Sequence, residues 1–117
     1  MIAQYLDLTD EYKANGKAYV ETSNYDYCVI QVINNSEVFK VFATIDSGAV
    51  QSVTDGNIAD SLNYQQISFL DLSDNIYKTQ LGVNTYSLIR VGVVGRYLQL
   101  GEIGDVDKLL VMLTKIG

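Results

Sequence analysis

The sequence predicts an all-β protein, a single antiparallel β-sandwich, from three observations. Val, Ile, Thr, Tyr and Phe number 13, 10, 7, 9 and 3, together 42 of 117 residues. These β-branched and aromatic types pack well on a pleated surface, whereas Ala, the best helix former, occurs only six times. The apolar runs are short and punctuated by Gly, Asn, Asp and Ser, giving about seven to nine strands at ~8–12-residue spacing, the sandwich pattern. Finally, 117 residues with a 48 % hydrophobic content fit one domain with its own core.

The elements follow in order. Gln4 to Leu8 reads as a short edge strand or lead-in. Thr9-Asp10-Glu11-Tyr12 opens a helical turn, with Thr9 as N-cap and acids in the first turn, and Asn15-Gly16 ends it. Lys17 to Thr22 alternates as a strand, so residues 1–24 form lead-in strands and a turn, and residues 25–117 the core sandwich. Tyr25 to Ile33 is apolar on both faces at its centre, through Cys28, Val29 and Ile30, which places it centrally in a sheet.

Val38 to Ile45 sets Phe39, Val41, Ala43 and Ile45 on one face, the alternation of a half-buried strand. With the Asn34-Asn35-Ser36 turn before it, it predicts a hairpin with Tyr25 to Ile33. Asp46-Ser47-Gly48 closes that strand, and Ala49 to Gln66 is the least regular stretch. Ile67 to Leu72 predicts one strand, ended by Ser73-Asp74-Asn75. Tyr86 to Val91 predicts another, and Gly92 and Gly95 bracket a sharp turn. Arg96 to Leu100 returns with Leu98 and Leu100 inward. In Asp105 to Ile116, the positions Val106, Leu109, Leu110, Leu113 and Ile116 fit a helical stripe or a buried strand. Strand is favoured, because it covers a sheet edge left open otherwise.

Composition excludes several kinds of chemistry. With no His there is no Ser-His-Asp or Cys-His machinery and no His-ligated metal. With one Cys there is neither an internal disulfide nor a thiolate zinc site. Two arginines and six scattered lysines against 14 acids, a net charge of -6, leave no basic patch for nucleic acid or an anionic membrane surface. No apolar run approaches the ~18 residues of a membrane span. Met1-Ile2-Ala3-Gln4-Tyr5 lacks the regions of a signal peptide, so use without passing a secretion channel is expected.

From Cys28 onward the chain resembles a small β-sandwich module of tailed-bacteriophage virion proteins. The resemblance rests on order: the alternating strand and Ser/Asp-Gly turn of Val38 to Gly48, a variable middle, the strand Thr85 to Val91, and a Gly turn. Arg96-Tyr97-Leu98-Gln99-Leu100 and a closing strand follow. After the first turn the module carries an aromatic residue where this chain has Val50 and Val53. The module is also similar to galactose-binding-like, discoidin-type sandwiches, which share an Arg-Tyr-aliphatic closing strand, and the fold expected is a jelly-roll or galactose-binding-like sandwich. The resemblance implies a non-enzymatic virion structural protein: a capsid decoration, head-fibre or tail component. Such a protein binds other virion subunits, acts as a homo-oligomer or in multiple copies, and resides in the virion and, during assembly, in the host cytoplasm. The alternative is a carbohydrate-binding module, with glycan as ligand; a small enzyme ranks third.

No catalytic, cofactor or metal site is assigned from the residues. Cys28, flanked by apolar strand positions, reads as a buried inert thiol. Asp55-Gly56-Asn57, Asp71 to Asn75 and Asp105-Val106-Asp107 read as turns, since none has EF-hand spacing. Gly92-Val93-Val94-Gly95 lacks the Lys-Ser/Thr of a phosphate loop. Nine tyrosines exceed what so small a core can satisfy. Tyr5, Tyr12, Tyr64 and Tyr77 are the expected interface residues.

Overall fold

The longest strands lie side by side. The computed structural model describes residues 1–45, 64–92 and 96–117. Strand β3 (Tyr27–Ile33) has seven residues, and it pairs with the two strands that match it, β8 (Tyr86–Gly92) and β10 (Lys108–Lys115). Strand β1 (Ile2–Asp7) lies outside β10, and β6 (Phe69–Asp71) and β7 (Ile76–Lys78) lie beyond β8. The order of this six-stranded sheet is β1-β10-β3-β8-β6-β7. The second sheet, β2-β9-β4-β5, uses the shorter strands Ala18–Glu21, Tyr97–Leu100, Val41–Thr44 and Gln65–Ile67. Both sheets are antiparallel and pack as an all-β sandwich.

The core lies between the sheets. The wide sheet contributes Cys28, Ile30, Val32, Ile89, Leu109 and Leu113, and the narrow one Ala18, Val20, Val41, Leu98 and Leu100. Phe39, Phe69 and Tyr12 fill its margins. Each large apolar side chain buried this way contributes roughly 1.5–3 kcal/mol before entropy is set against it. Helix α1 (Thr9–Asn15) crosses from β1 to β2, and Tyr12 enters the core from it. Gly16, at φ 75, closes the helix with its N–H on the Tyr12 carbonyl. Gly101 also has positive φ, and the Tyr12 ring fills the space a Cβ would need there.

Several expectations are corrected. Thr9 is inside the helix rather than its cap: Asp7 Oδ1 accepts the Thr9 N–H at 3.0 Å, while Thr9 Oγ1 accepts the Leu109 N–H. Residues 1–24 supply β1 to one sheet and β2 to the other, with Ala18, Tyr19 and Val20 buried. Residues 25–33 and 38–45 do not form a hairpin. Both sides of β3 are taken by longer strands, and a four-residue β4 leaves much of its ladder unpaired. The run Ile67 to Leu72 is two strands that change sheet at Ser68. The last segment is strand, β10. The Asp46-Ser47-Gly48 closure, the 49–63 stretch and the turn at 93–95 lie outside the described residues.

Asn35 holds the crossing from β3 to β4. It is fully buried, and its Nδ2 donates to the Glu37 carbonyl at 2.6 Å and the Gly82 carbonyl at 2.8 Å. Its Oδ1 accepts from the Thr85 N–H at 3.0 Å and the Thr85 hydroxyl at 2.8 Å. Its backbone carbonyl accepts the Asn84 N–H. One amide thus ties the 34–40 segment to the loop before β8. Asn35→Ala leaves buried partners on both loops unpaired, and we expect it to lower unfolding stability by roughly 3 kcal/mol. Urea denaturation followed by circular dichroism measures the shift. Asn35→Asp, which cannot donate to the two carbonyls, is expected to be no better than Ala.

Candidate functional site: the outer face of the wide sheet

The six-stranded sheet has two faces, and only one is covered by the narrow sheet. Side chains alternate between them, so register fixes what the other face carries. One cross-strand row runs the full width: Tyr5, Met112, Val29, Arg90, Leu70 and Tyr77, one from each strand. The next row places Asp7, Leu110, Gln31 and Leu88 side by side. A third holds Lys108, Ile33 and Tyr86, and at the opposite end lie Ala3, Thr114, Tyr27 and Gly92.

This face is apolar at its centre. Val29, Leu110 and Met112 line one hollow of about 260 Å³ on one side of Leu88. Ile33, Leu72 and Tyr86 line a second of about 280 Å³ on its other side. Gln31 borders both. Leu88 stands between them as a ridge, 45 % exposed. Beside Val29 in the full-width row, Arg90 lies over the Tyr27 ring, 4.3 Å from its centroid, so the cation is held by an aromatic face. Among the described residues the strands bring one carboxylate to this face, Asp7. Hydrogen bonds from the Thr9 hydroxyl and N–H hold its carboxyl below the ordinary value.

The tyrosines expected at an interface divide into two pairs. Tyr5 and Tyr77, 74 % and 72 % exposed, sit at the two ends of one row of the outer face. Tyr12 and Tyr64 are interior. Tyr12 donates its hydroxyl to the Ile103 carbonyl, and burial, followed by the charge of Asp105, raises its pKa to about 12. Tyr64 packs against Tyr19, with ring centroids 5.5 Å apart, in a cluster that includes Tyr97. The core accepts the Tyr12 and Tyr19 rings because their hydroxyls are paired, Tyr12 with the Ile103 carbonyl and Tyr19 with Gln99. Tyr86 and Leu88, not singled out from the sequence, belong to the face with Tyr5 and Tyr77. The signal was present, since Tyr86-Ser87-Leu88 alternates with the inward Ile89 and Val91.

The acidic segments are engaged locally. Asp71, 2 % exposed, accepts from the Ser73 N–H and hydroxyl through Oδ1 and from Lys78 Nζ at 2.7 Å through Oδ2. Lys78 also meets Asp74 at 2.9 Å. Asp105 accepts from Val106 N–H and Lys13, and Asp107 accepts from Asn34. Asp55-Gly56-Asn57 lies outside the described residues. Among the described residues no cluster of His, Cys, Asp and Glu is arranged to hold a metal ion. Cys28 is buried, and burial raises its thiol to about 12. Among the described residues no helix is long and apolar enough to cross a membrane.

Set beside protein-family models, curated proteins and solved structures, the chain matches none of them.

The Asp71 cluster gives a pH prediction. Hydrogen bonding from Lys78, then Ser73, lowers the carboxyl below its ordinary 3.8 in the folded chain. A depressed folded value means that the stabilisation is complete above the unfolded value and is lost as pH falls through the folded one. We expect unfolding stability to decline in acid below about pH 4–5. Asp71→Asn is expected to be less stable at neutral pH and to show a shallower acid decline. Thermal melts of both chains across the acid range compare the slopes.

Proposed function

We propose that this chain is a non-enzymatic structural protein of a bacteriophage virion, acting by burying the outer face of its six-stranded sheet against a protein subunit. The observation that carries the binding part is that face: an apolar centre, two hollows beside Leu88 and tyrosines at its ends. Contiguous apolar surface rimmed by amphipathic rings is what protein interfaces use, because Tyr supplies area at low entropic cost. The virion setting is supported by the resemblance of the strand and turn order from Cys28 to the C-terminus. On a repeating particle, modest contacts gain strength through copy number.

The spread of the aromatic rings favours protein over sugar. Tyr5 and Tyr77 stand on the first and last strands, about 24 Å apart at ~4.8 Å per strand. A single sugar unit cannot bridge that span, whereas a protein face can. In phage particles purified from the host, the chain is expected by mass spectrometry as a stoichiometric component. Leu88→Asp is expected to deplete it at least several-fold while leaving its fold intact by circular dichroism. Absence of the wild-type chain from particles, or turnover of a substrate by the purified protein, refutes the reading. A glycan-array signal lost in Tyr5→Ala or Tyr77→Ala establishes the carbohydrate alternative instead.

A further inference from the structure

We infer that the outer face of the six-stranded sheet is covered by a second copy of this chain, packed sheet to sheet about a twofold axis. The inference rests on the reading of that face as a protein interface and names its occupant. Three features lead to a self-partner.

The first is shape. An isologous interface needs a projection and a recess on the same surface, because each copy must supply both. Leu88 projects between two hollows of about 260 and 280 Å³. A Leu88 from one copy can seat in a hollow of the other while the reciprocal contact forms. The walls it meets are apolar at Val29 and Met112 on one side and at Ile33 and Leu72 on the other, with Gln31 bordering both and Ser73 and Ser87 completing the second. Two sheets packed this way lie ~10 Å apart with their side chains interdigitated, the spacing already used inside each copy.

The second is charge. The chain carries -6, and two copies repel through most of their surfaces. Among the described residues the strands bring to the outer face Asp7 as carboxylate and Arg90 and Lys108 as cations, so it does not share the acidic excess of the chain. Meeting face to face is therefore the approach on which acid–acid repulsion is least. Arg90 is stacked on Tyr27, which fixes the position of its cation on the face.

The third is size. The full row spans about 24 Å, the other rows about 10–14 Å, and the rows from Tyr27 to Tyr86 give a length of about 20 Å, on the order of 350 Å² of footprint per copy. Two copies bury on the order of 700 Å², the size of a weak, reversible contact. Edge strands β1 and β7 stay at the rim of such a dimer, free for attachment elsewhere.

Sedimentation equilibrium of the purified chain over about two decades of concentration tests this. The expected result is a reversible monomer–dimer equilibrium reaching twice 13.0 kDa. Leu88→Asp is expected to weaken association at least a hundred-fold, and Ile103→Asp, exposed and away from the face, to leave it unchanged. Because Leu88 is half-exposed, its variant is expected to keep the wild-type circular dichroism spectrum. Oxidative footprinting supplies an independent reading: Met112 and Tyr86 are protected in the dimer and lose protection in Leu88→Asp.

A chain that stays monomeric throughout overturns the inference, as does a dimer that survives Leu88→Asp with Met112 still reactive. A monomer that nonetheless joins virus particles in a Leu88-dependent way overturns only the self-partner and leaves the interface reading standing. A monomer that joins no particle removes both.

Discussion

The chain must pass repeatedly between two layers, and its architecture is organised around making those passages without stranding polar backbone. It changes sheet between β1 and β2, β2 and β3, β3 and β4, β5 and β6, β8 and β9, and β9 and β10. Each passage ends one hydrogen-bond ladder and starts another, so the intervening N–H and C=O groups need partners. Between β3 and β4 the buried Asn35 amide supplies them, acting twice as donor and twice as acceptor. Between β1 and β2 a helix does the same work, with Asp7, Thr9 and Gly16 closing its ends. Because neighbours in sequence are seldom neighbours in the sheets, most strand pairs join distant segments: β1 pairs with β10, and β2 with β9. Such a topology folds more slowly than one built of hairpins.

The same constraint makes the two sheets unequal. The four longest strands, β1, β10, β3 and β8, lie side by side in one sheet, which β6 and β7 extend, and the other sheet is built of strands of three or four residues. A four-stranded sheet covers one face of a six-stranded one and leaves the margins overhanging. Strand β1 shows the consequence: Ile2 and Tyr5, on opposite faces of it, are both exposed. At the other margin Asp71 is deep enough to be buried and close enough to the edge for Lys78 to reach it from solvent. That geometry lets a carboxylate sit within the sandwich at small electrostatic cost, since its partner is at hand and Ser73 satisfies the remaining oxygen.

Local chemistry was legible in the sequence, and pairing was not. β-branched and aromatic content, period-two alternation and the Asn15-Gly16 stop foretell strands, inward Leu98 and Leu100, and the end of the helix. Nothing local says that Tyr27–Ile33 and Val41–Thr44 belong to different layers, because three polar residues suit a hairpin and a crossing equally. Ile67 to Leu72 misleads for a related reason: Ile67 and Phe69 both point at the core, one from each sheet, so alternation runs unbroken through Ser68. Strand β7 is three residues long, with Ile76 and Tyr77 exposed, too short for periodicity to register. Of the four tyrosines singled out, composition alone could not separate Tyr5 and Tyr77 from Tyr12 and Tyr64. Register and the helix face had to be known first.

The apolar character of β3 on both sides bears on function more than any single residue does. Central position in a sheet accounts for pairing along both edges of a strand, but it makes no demand on the face that points away from the core. Cys28, Ile30 and Val32 are explained by the sandwich; Val29 and Ile33 are not. The same holds for Leu110 and Met112 beside them in β10 and Leu88 in β8. In an antiparallel sandwich with a free outer surface, those positions ordinarily carry polar residues, as the alternation of strands with one wet face requires. Across three adjacent, independently encoded strands, outward apolar residues converge around Leu88, with Gln31 as the uncharged polar group among them. Leaving that surface in water gives up the free energy its burial would release, and covering it completes for the outer face what the narrow sheet does for the inner one.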